Sequence, residues 1–178
     1  MTDSALIARV LVSDDHAAFG DLVRRHQSSV RHFLRHLTRG DAALSDDLAQ
    51  ETFVQAWRGL AQFAGHSSFP TWLLGIAHNR WRNARRKQRT VPVEPEHLAA
   101  LEPAPSPAPL SDLRHDLSHA MSTLAEEERT ALHLCYQQGL SHAEIADVLQ
   151  WPLGTVKTHL HRGKAKLRPL LLSWNPTT

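Results

Sequence analysis

The sequence predicts an all-α protein made of two small helical domains joined by a Pro-rich linker, the second domain being a helix-turn-helix. Three observations lead there. Apolar residues recur at spacings of three, four and seven along most of the 178 residues, and no run alternates as a strand would. Six of the ten prolines (Pro92, Pro95, Pro103, Pro105, Pro107 and Pro109) crowd into VPVEPEHLAALEPAPSPAPL, which carries acidic residues and no Lys or Arg. Near the C-terminus, two short helical patterns follow one another across only a few residues.

The boundaries expected from this are a first domain over 1–89, a linker over 90–112 and a second domain over 113–178. The alternative for the linker is a polyproline ligand for a partner's aromatic groove, which the lack of neighbouring basic residues disfavours. In the first domain, Ser13 and two aspartates precede an amphipathic stripe of Phe19, Leu22, Val23, Val30, Phe33, Leu34 and Leu37, which Gly40 stops. A second helix is expected to begin near Ser45, with Ala49, Phe53, Ala56, Trp57 and Leu60 on one face. The segment FAGHSSFP breaks that pattern, and a third helix runs from about Pro70 to Gln88. In the second domain Ala120, Met121 and Leu124 continue a helix begun at Leu113 and Leu117. A further helix passes through Leu132, Cys135 and Tyr136 and closes at Gly139.

Charge is distributed unevenly. Residues 1–89 hold 13 basic against 8 acidic side chains, residues 90–112 none against 4, and residues 113–178 seven against six. Two stretches, 76–90 with six basic residues and 151–178 with five, contain no acid at all. Two separate basic tips fit a polyanion touched twice. The single cysteine, Cys135, excludes an internal disulfide framework and any multi-cysteine zinc site, and core packing is its expected role. His115 and His119 stand four apart, a spacing that binds zinc on a helix, but no third ligand is evident, so neither a metal nor a cofactor is expected. With no Gly-rich phosphate loop and no nucleophile and base arrangement, the chain does not read as an enzyme. It also lacks an apolar segment of membrane-spanning length and an apolar signal core, so a cytoplasmic protein without direct membrane insertion is expected.

Three surfaces stand out. In SHAEIADVLQWPLGTVKTHLHRGKAKLR, Ser141 and Glu144 form a capping box, and Pro152, with its φ already helical, opens the next helix. There Val156, Leu160 and Leu167 turn inward, leaving Lys157, Thr158, His161, Arg162, Lys164 and Arg168 outward, a basic and hydroxyl face suited to a major groove, with a solvated basic helix in a small helical hairpin as the alternative. On the third helix of the first domain, Asn79, Arg82 and Arg86 share a face that would track phosphates, with Arg85 and Arg89 beside it. Trp72 and Trp81 are expected in the core, with stacking on unpaired bases as the alternative. The loop Phe63 to Phe69, just before that helix, could hold a flipped base. The third surface is opposite in kind: Asp47, Gln50, Glu51, Val54 and Arg58 form a mostly acidic and amide face that would repel DNA, which periodicity alone reads as an ordinary solvated face and which its position beside two DNA-directed surfaces reads as a face for a protein partner.

DDLAQETFVQAW, FAGHSSFPTWLLGIAHNRWRNARRK and the helix-turn-helix, taken in order, resemble the extracytoplasmic-function (ECF) sigma factors of bacterial RNA polymerase, in the sigma-70 family. The specific part is D-x-x-Q-E-x-F (Asp47, Gln50, Glu51, Phe53) upstream of T-W-L-x-x-I-A-x-N (Thr71 to Asn79). The resemblance implies a promoter-specificity subunit with core RNA polymerase and promoter DNA as partners. It implies core-binding roles for Asp47, Gln50 and Glu51, and capture of a minus-ten base by Phe63, Gly65, His66, Ser67, Ser68, Phe69 and Asn79, with Arg82 and Arg86 alongside. Minus-35 reading falls to Thr155, Lys157, Thr158, His161, Arg162 and Lys164. An anti-sigma factor, often membrane-bound in the family, is a further implied partner. Gly163 stands where the family commonly has alanine, which should weaken that helix by up to about 1 kcal/mol. The rival from another class is a stand-alone helix-turn-helix regulator whose N-terminal helices dimerise or sense a signal; a sequestering interaction module is a third reading.

Overall fold

The structure, a computed structural model, describes residues 1–90 and 120–172. These residues are helical with no strand among them, and they fall into two compact units, the first comprising residues 1–90 and 147–150 and the second residues 120–146 and 151–172.

The first unit holds four α-helices: α1 (Asp3–Ser13), α2 (His16–Leu37), α3 (Ala42–Gly59) and α4 (Phe69–Thr90). Helix α1 was not expected from the sequence. The Thr2 hydroxyl accepts from the Ala5 amide to cap it, and Leu6, Ile7 and Val10 are buried against α2. Asp14, at φ 50°, reverses the chain. Asp15 then caps α2 by accepting from the Ala18 amide at 2.9 Å, while Arg9 of α1 donates to its other oxygen at 2.5 Å. These two partners hold the Asp15 carboxyl below the usual aspartate range. Asp3 ties the other end of α1 to α2 through Arg25 at 3.0 Å and His26 at 2.8 Å.

Helix α2 buries Leu22, Val30, Phe33, Leu34 and Leu37, with Phe19 and Val23 half-buried at the margin of the expected stripe. Gly40, at φ +94°, takes a left-handed turn that other residues adopt at a cost. Helix α3 begins three residues earlier than the sequence indicated. Its cap is Asp41, which accepts from the Leu44 amide at 3.0 Å, and Ser45 is fully buried within the first turn with its hydroxyl against that of Thr38 at 2.8 Å. Buried Leu48, Ala49, Thr52 and Ala56 pack α3 between α2 and α4. Trp57 covers the edge, half-buried, with its ring 4.8 Å from His16 and 4.9 Å from Phe19.

The second unit holds α5 (Glu126–Tyr136), the larger part of α6 (His142–Leu149) and α7 (Leu153–Leu172), with helical residues 120–122 before them. Ala131, Leu134, Ile145, Val156 and Leu160 are the centre of its core, and α5 packs along α7. Cys135 is half-buried rather than central. The Pro-rich segment 91–112 and the histidine pair His115 and His119 lie outside the described residues. No described helix is long and apolar enough to cross a membrane.

Candidate nucleic-acid and protein interfaces

Helix α3 is rotated so that Leu48, Thr52 and Ala56 face inward, which leaves Asp47, Gln50, Glu51, Val54 and Arg58 exposed in a row. With Gln55 and Arg80 they line a shallow depression of about 430 Å³. Arg80 of α4 closes one side by donating to the Gln55 side-chain amide oxygen, Oε1, at 2.7 Å. The face is therefore a carboxylate and amide strip with one apolar residue, Val54, 49% exposed at its centre.

Between α3 and α4 the chain turns through a 3₁₀ turn, Leu60–Gln62, into the loop 63–68. The loop stands on an aromatic cluster: Phe63 lies 5.8 Å from Phe69 and 5.1 Å from Trp72, and His26 of α2 packs edge-on against Phe69 at 5.5 Å. This geometry corrects the expectation for Phe69, which is 3% exposed and is the buried floor of the loop, not part of its surface. The reason is local. Ser68 caps α4, accepting from the Thr71 amide at 3.3 Å and meeting the Thr71 hydroxyl at 2.7 Å, so Phe69 enters the first helical turn and points at the core. Gly65 (φ +70°), His66 and Ser68 are exposed, and Phe63 and Ser67 are half-buried.

Helix α4 extends from this loop as the first basic tip. Leu73 and Ala77 are buried, Asn79 is half-buried, and Arg82 and Arg86 are exposed. Trp81 is half-buried beneath Arg85, whose guanidinium carbon is 5.2 Å from the ring centroid. Trp72 packs on Phe63 and Phe69. Both tryptophans have neighbours within the first unit, but they are half-buried at the margin of the core and not inside it.

In the second unit the capping box forms as the sequence indicates. The Ser141 amide donates to the Glu144 carboxylate at 2.9 Å and the Glu144 amide donates to the Ser141 hydroxyl at 3.3 Å. Gln150, at φ 57°, breaks the helix, and the Thr155 amide donates to the Pro152 carbonyl at 2.9 Å to start α7. Burial of Val156 and Leu160 fixes the rotation of α7, so Lys157, Thr158, His161, Arg162, Lys164 and Arg168 are all exposed. Thr155 is half-buried, and the Thr158 hydroxyl donates to the Gly154 carbonyl at 2.8 Å, which leaves its oxygen as an acceptor. His159 turns from this face to Trp151, 5.1 Å away between ring centroids.

Sequence reasoning missed two residues that shape α7. Glu128 of α5 is buried, accepts from its own helix's Ala125 amide at 3.1 Å and receives Lys166 of α7 at 2.7 Å. The E-E-E run beginning α5 hid which of its three carboxylates turns inward. Tyr136, read only as part of this helix, is 63% exposed and lies beside Lys164.

Two helical units, one presenting a basic helix behind an exposed loop and the other a basic helix-turn-helix, have the build of a DNA-binding transcription protein. Comparison with known proteins makes this specific. Residues 22–91 match the model of Sigma-70 region 2, and residues 114–167 match that of Sigma-70, region 4. The chain is 31% identical to the ECF RNA polymerase sigma-E factor of Haemophilus influenzae, with 96% of this chain and 98% of the relative covered. It is 33% identical to that of Escherichia coli, covering 96% and 97%. Among solved structures, CnrH in complex with the cytosolic domain of CnrY is similar at a TM-score of 0.67 and 27% identity, over 96% of this chain and 97% of that one. The sigma factor RpoE in complex with the anti-sigma factor NepR from Bartonella quintana is similar at 0.67 and 26%, over 86% and 96%. The chain belongs to the sigma-70 family, in its ECF group. Its function is that of a promoter-specificity subunit, which binds core RNA polymerase and directs transcription initiation.

Proposed function

We propose that the work is divided by unit: residues 1–89 bind core polymerase and take hold of the minus-ten element, residues 113–178 read the minus-35 element, and residues 90–112 link them. Asp47, Gln50 and Glu51 meet the polymerase. A charged and amide strip with an exposed valine suits a protein partner, and its carboxylates would repel phosphates. Gly65, His66, Ser67 and Ser68, above the floor made by Phe63 and Phe69, receive a base leaving the stack, and Asn79 at the edge of α4 bonds to it while Arg82 and Arg86 follow the backbone.

The observation that carries the minus-35 reading is the rotation of α7. Two buried aliphatic residues, Val156 and Leu160, set Lys157, Thr158, His161, Arg162 and Lys164 together on the solvent side of the second helix of a helix-turn-helix. Such a helix enters a major groove by its N-terminal part, where Thr155, Lys157 and Thr158 lie. No bond is made or broken by this chain; the polymerase supplies the chemistry, in the cytoplasm. An anti-sigma factor is a further partner, a reading supported by the solved relative bound to NepR.

The test is transcription in vitro with purified core polymerase on fragmented genomic DNA of the source organism, with and without the protein. New starts sharing two upstream elements are the expected result and deliver the promoter. Specific DNA binding without any new start would instead mark a stand-alone regulator.

A further inference from the structure

Tyr136 ends α5 with 63% of its surface exposed, although it sits in a unit whose other large apolar side chains from α5 and α7 are mostly turned inward. Its neighbour is Lys164 of α7, whose Nζ stands 5.3 Å from the centre of the tyrosine ring. Lys164 is about one turn past His161, on the exposed side of the proposed reader helix. A lysine is a compact charge on a flexible stem, and ordering it normally costs rotamer freedom. The aromatic face removes part of that cost by favouring one position of the ammonium. The neighbouring Tyr136 side chain also raises the Lys164 pKa above the ordinary lysine value.

We propose that Tyr136 is a further DNA-backbone contact of this sigma factor, its hydroxyl and the Lys164 ammonium together gripping one phosphate at the edge of the minus-35 element. Tyrosine hydroxyls and lysines are both regular donors to phosphate oxygens, and such contacts fix the register of a helix in the groove without reading sequence. Donors from two different helices, α5 and α7, meeting one phosphate would lock the rotation of α7 in the groove. The assignment rests on the minus-35 reading of α7.

A double-mutant cycle tests it, in holoenzyme assembled from core polymerase and the full chain, on a duplex promoter obtained from the genomic transcription experiment. Promoter affinity is measured against KCl concentration for wild type, Tyr136→Ala, Tyr136→Phe, Lys164→Ala and Tyr136→Ala with Lys164→Ala. Lys164→Ala should lower the salt slope by about 1. Tyr136→Ala should weaken binding about threefold to tenfold with Lys164 present and distinctly less without it, since part of its effect passes through the ammonium. Tyr136→Phe should keep the cation on the ring and lose only the hydroxyl's share. The same loss in both Lys164 backgrounds, or affinity equal to wild type for Tyr136→Ala, overturns the proposal. Circular dichroism of each free variant separates loss of contact from loss of fold, and the Phe variant, which keeps the ring, carries the test should the Ala variant unfold. Failure of the wild-type chain to start transcription would defeat the minus-35 reading and this assignment with it, whereas initiation with an additive cycle defeats this assignment alone.

Discussion

Gly163 of α7 lies so close to Leu132 of α5 that a Cβ added at position 163 would stand 2.7 Å from Leu132 Cδ1 and 3.3 Å from its Cγ. The glycine that looks like a weak point in the reader helix is therefore a point of close approach between the two helices that pack along each other. Its cost in helix propensity is set against packing the sequence does not show. Gly163→Leu should overpack this contact and destabilise the second unit by about 1 to 3 kcal/mol, read from thermal unfolding followed by circular dichroism. A wild-type melt would show that α5 and α7 separate freely here.

Glu128 makes stability depend on acid. Burial opposes its ionisation, but the Lys166 hydrogen bond and the Ala125 amide outweigh burial and hold its carboxyl below the ordinary value of 4.5. A carboxylate depressed in the folded state contributes stability that is complete above the unfolded pKa and lost as pH falls through the folded one. Wild type should accordingly lose stability as pH drops below about 4.5, and Glu128→Gln should show a flatter profile there. At neutral pH the same variant should be less stable by about 1 to 3 kcal/mol, because Lys166 loses a charged acceptor. Denaturant titrations across pH 3 to 7 check both expectations.

Asp47→Lys separates the proposed polymerase contact from the fold. The side chain is exposed with none of the core behind it, so stability should change by less than about 0.5 kcal/mol. Association with core polymerase should weaken by about 2 kcal/mol or more, since a positive charge replaces a carboxylate at the partner surface. Binding titrations with fluorescently labelled protein give the number; a folded variant with wild-type affinity removes Asp47 from the interface.

Phe69 and His66 should behave oppositely, although both belong to the segment first read as one loop. Phe69→Ala empties a buried site under Phe63, Trp72 and His26 and should cost about 3 to 5 kcal/mol. His66→Ala should leave stability within about 0.5 kcal/mol and reduce promoter opening, measured by permanganate reactivity of unpaired thymines. A stable Phe69→Ala protein would contradict the floor assigned to that ring.

The sequence by itself determined the all-α class, the helix-turn-helix with its capping box at Ser141 and Glu144, and the family, because each depends on local spacing. A hydroxyl three residues before a glutamate, or leucines and valines at intervals of three and four, act within one or two turns and need no partner from elsewhere in the chain. Tertiary structure decided what lies between elements. Helix α1 is too short to be stable alone, and it is held by contacts with α2 that join residues over twenty positions apart, such as Asp3 with Arg25 and His26. The same holds for Phe69, turned inward by a serine cap and received by a histidine from α2, and for Glu128 and Tyr136, whose roles depend on Lys166 and Lys164 of another helix. Side-chain direction at a helix end and the choice among adjacent carboxylates are set by which neighbouring helix arrives, and that neighbour is distant in sequence.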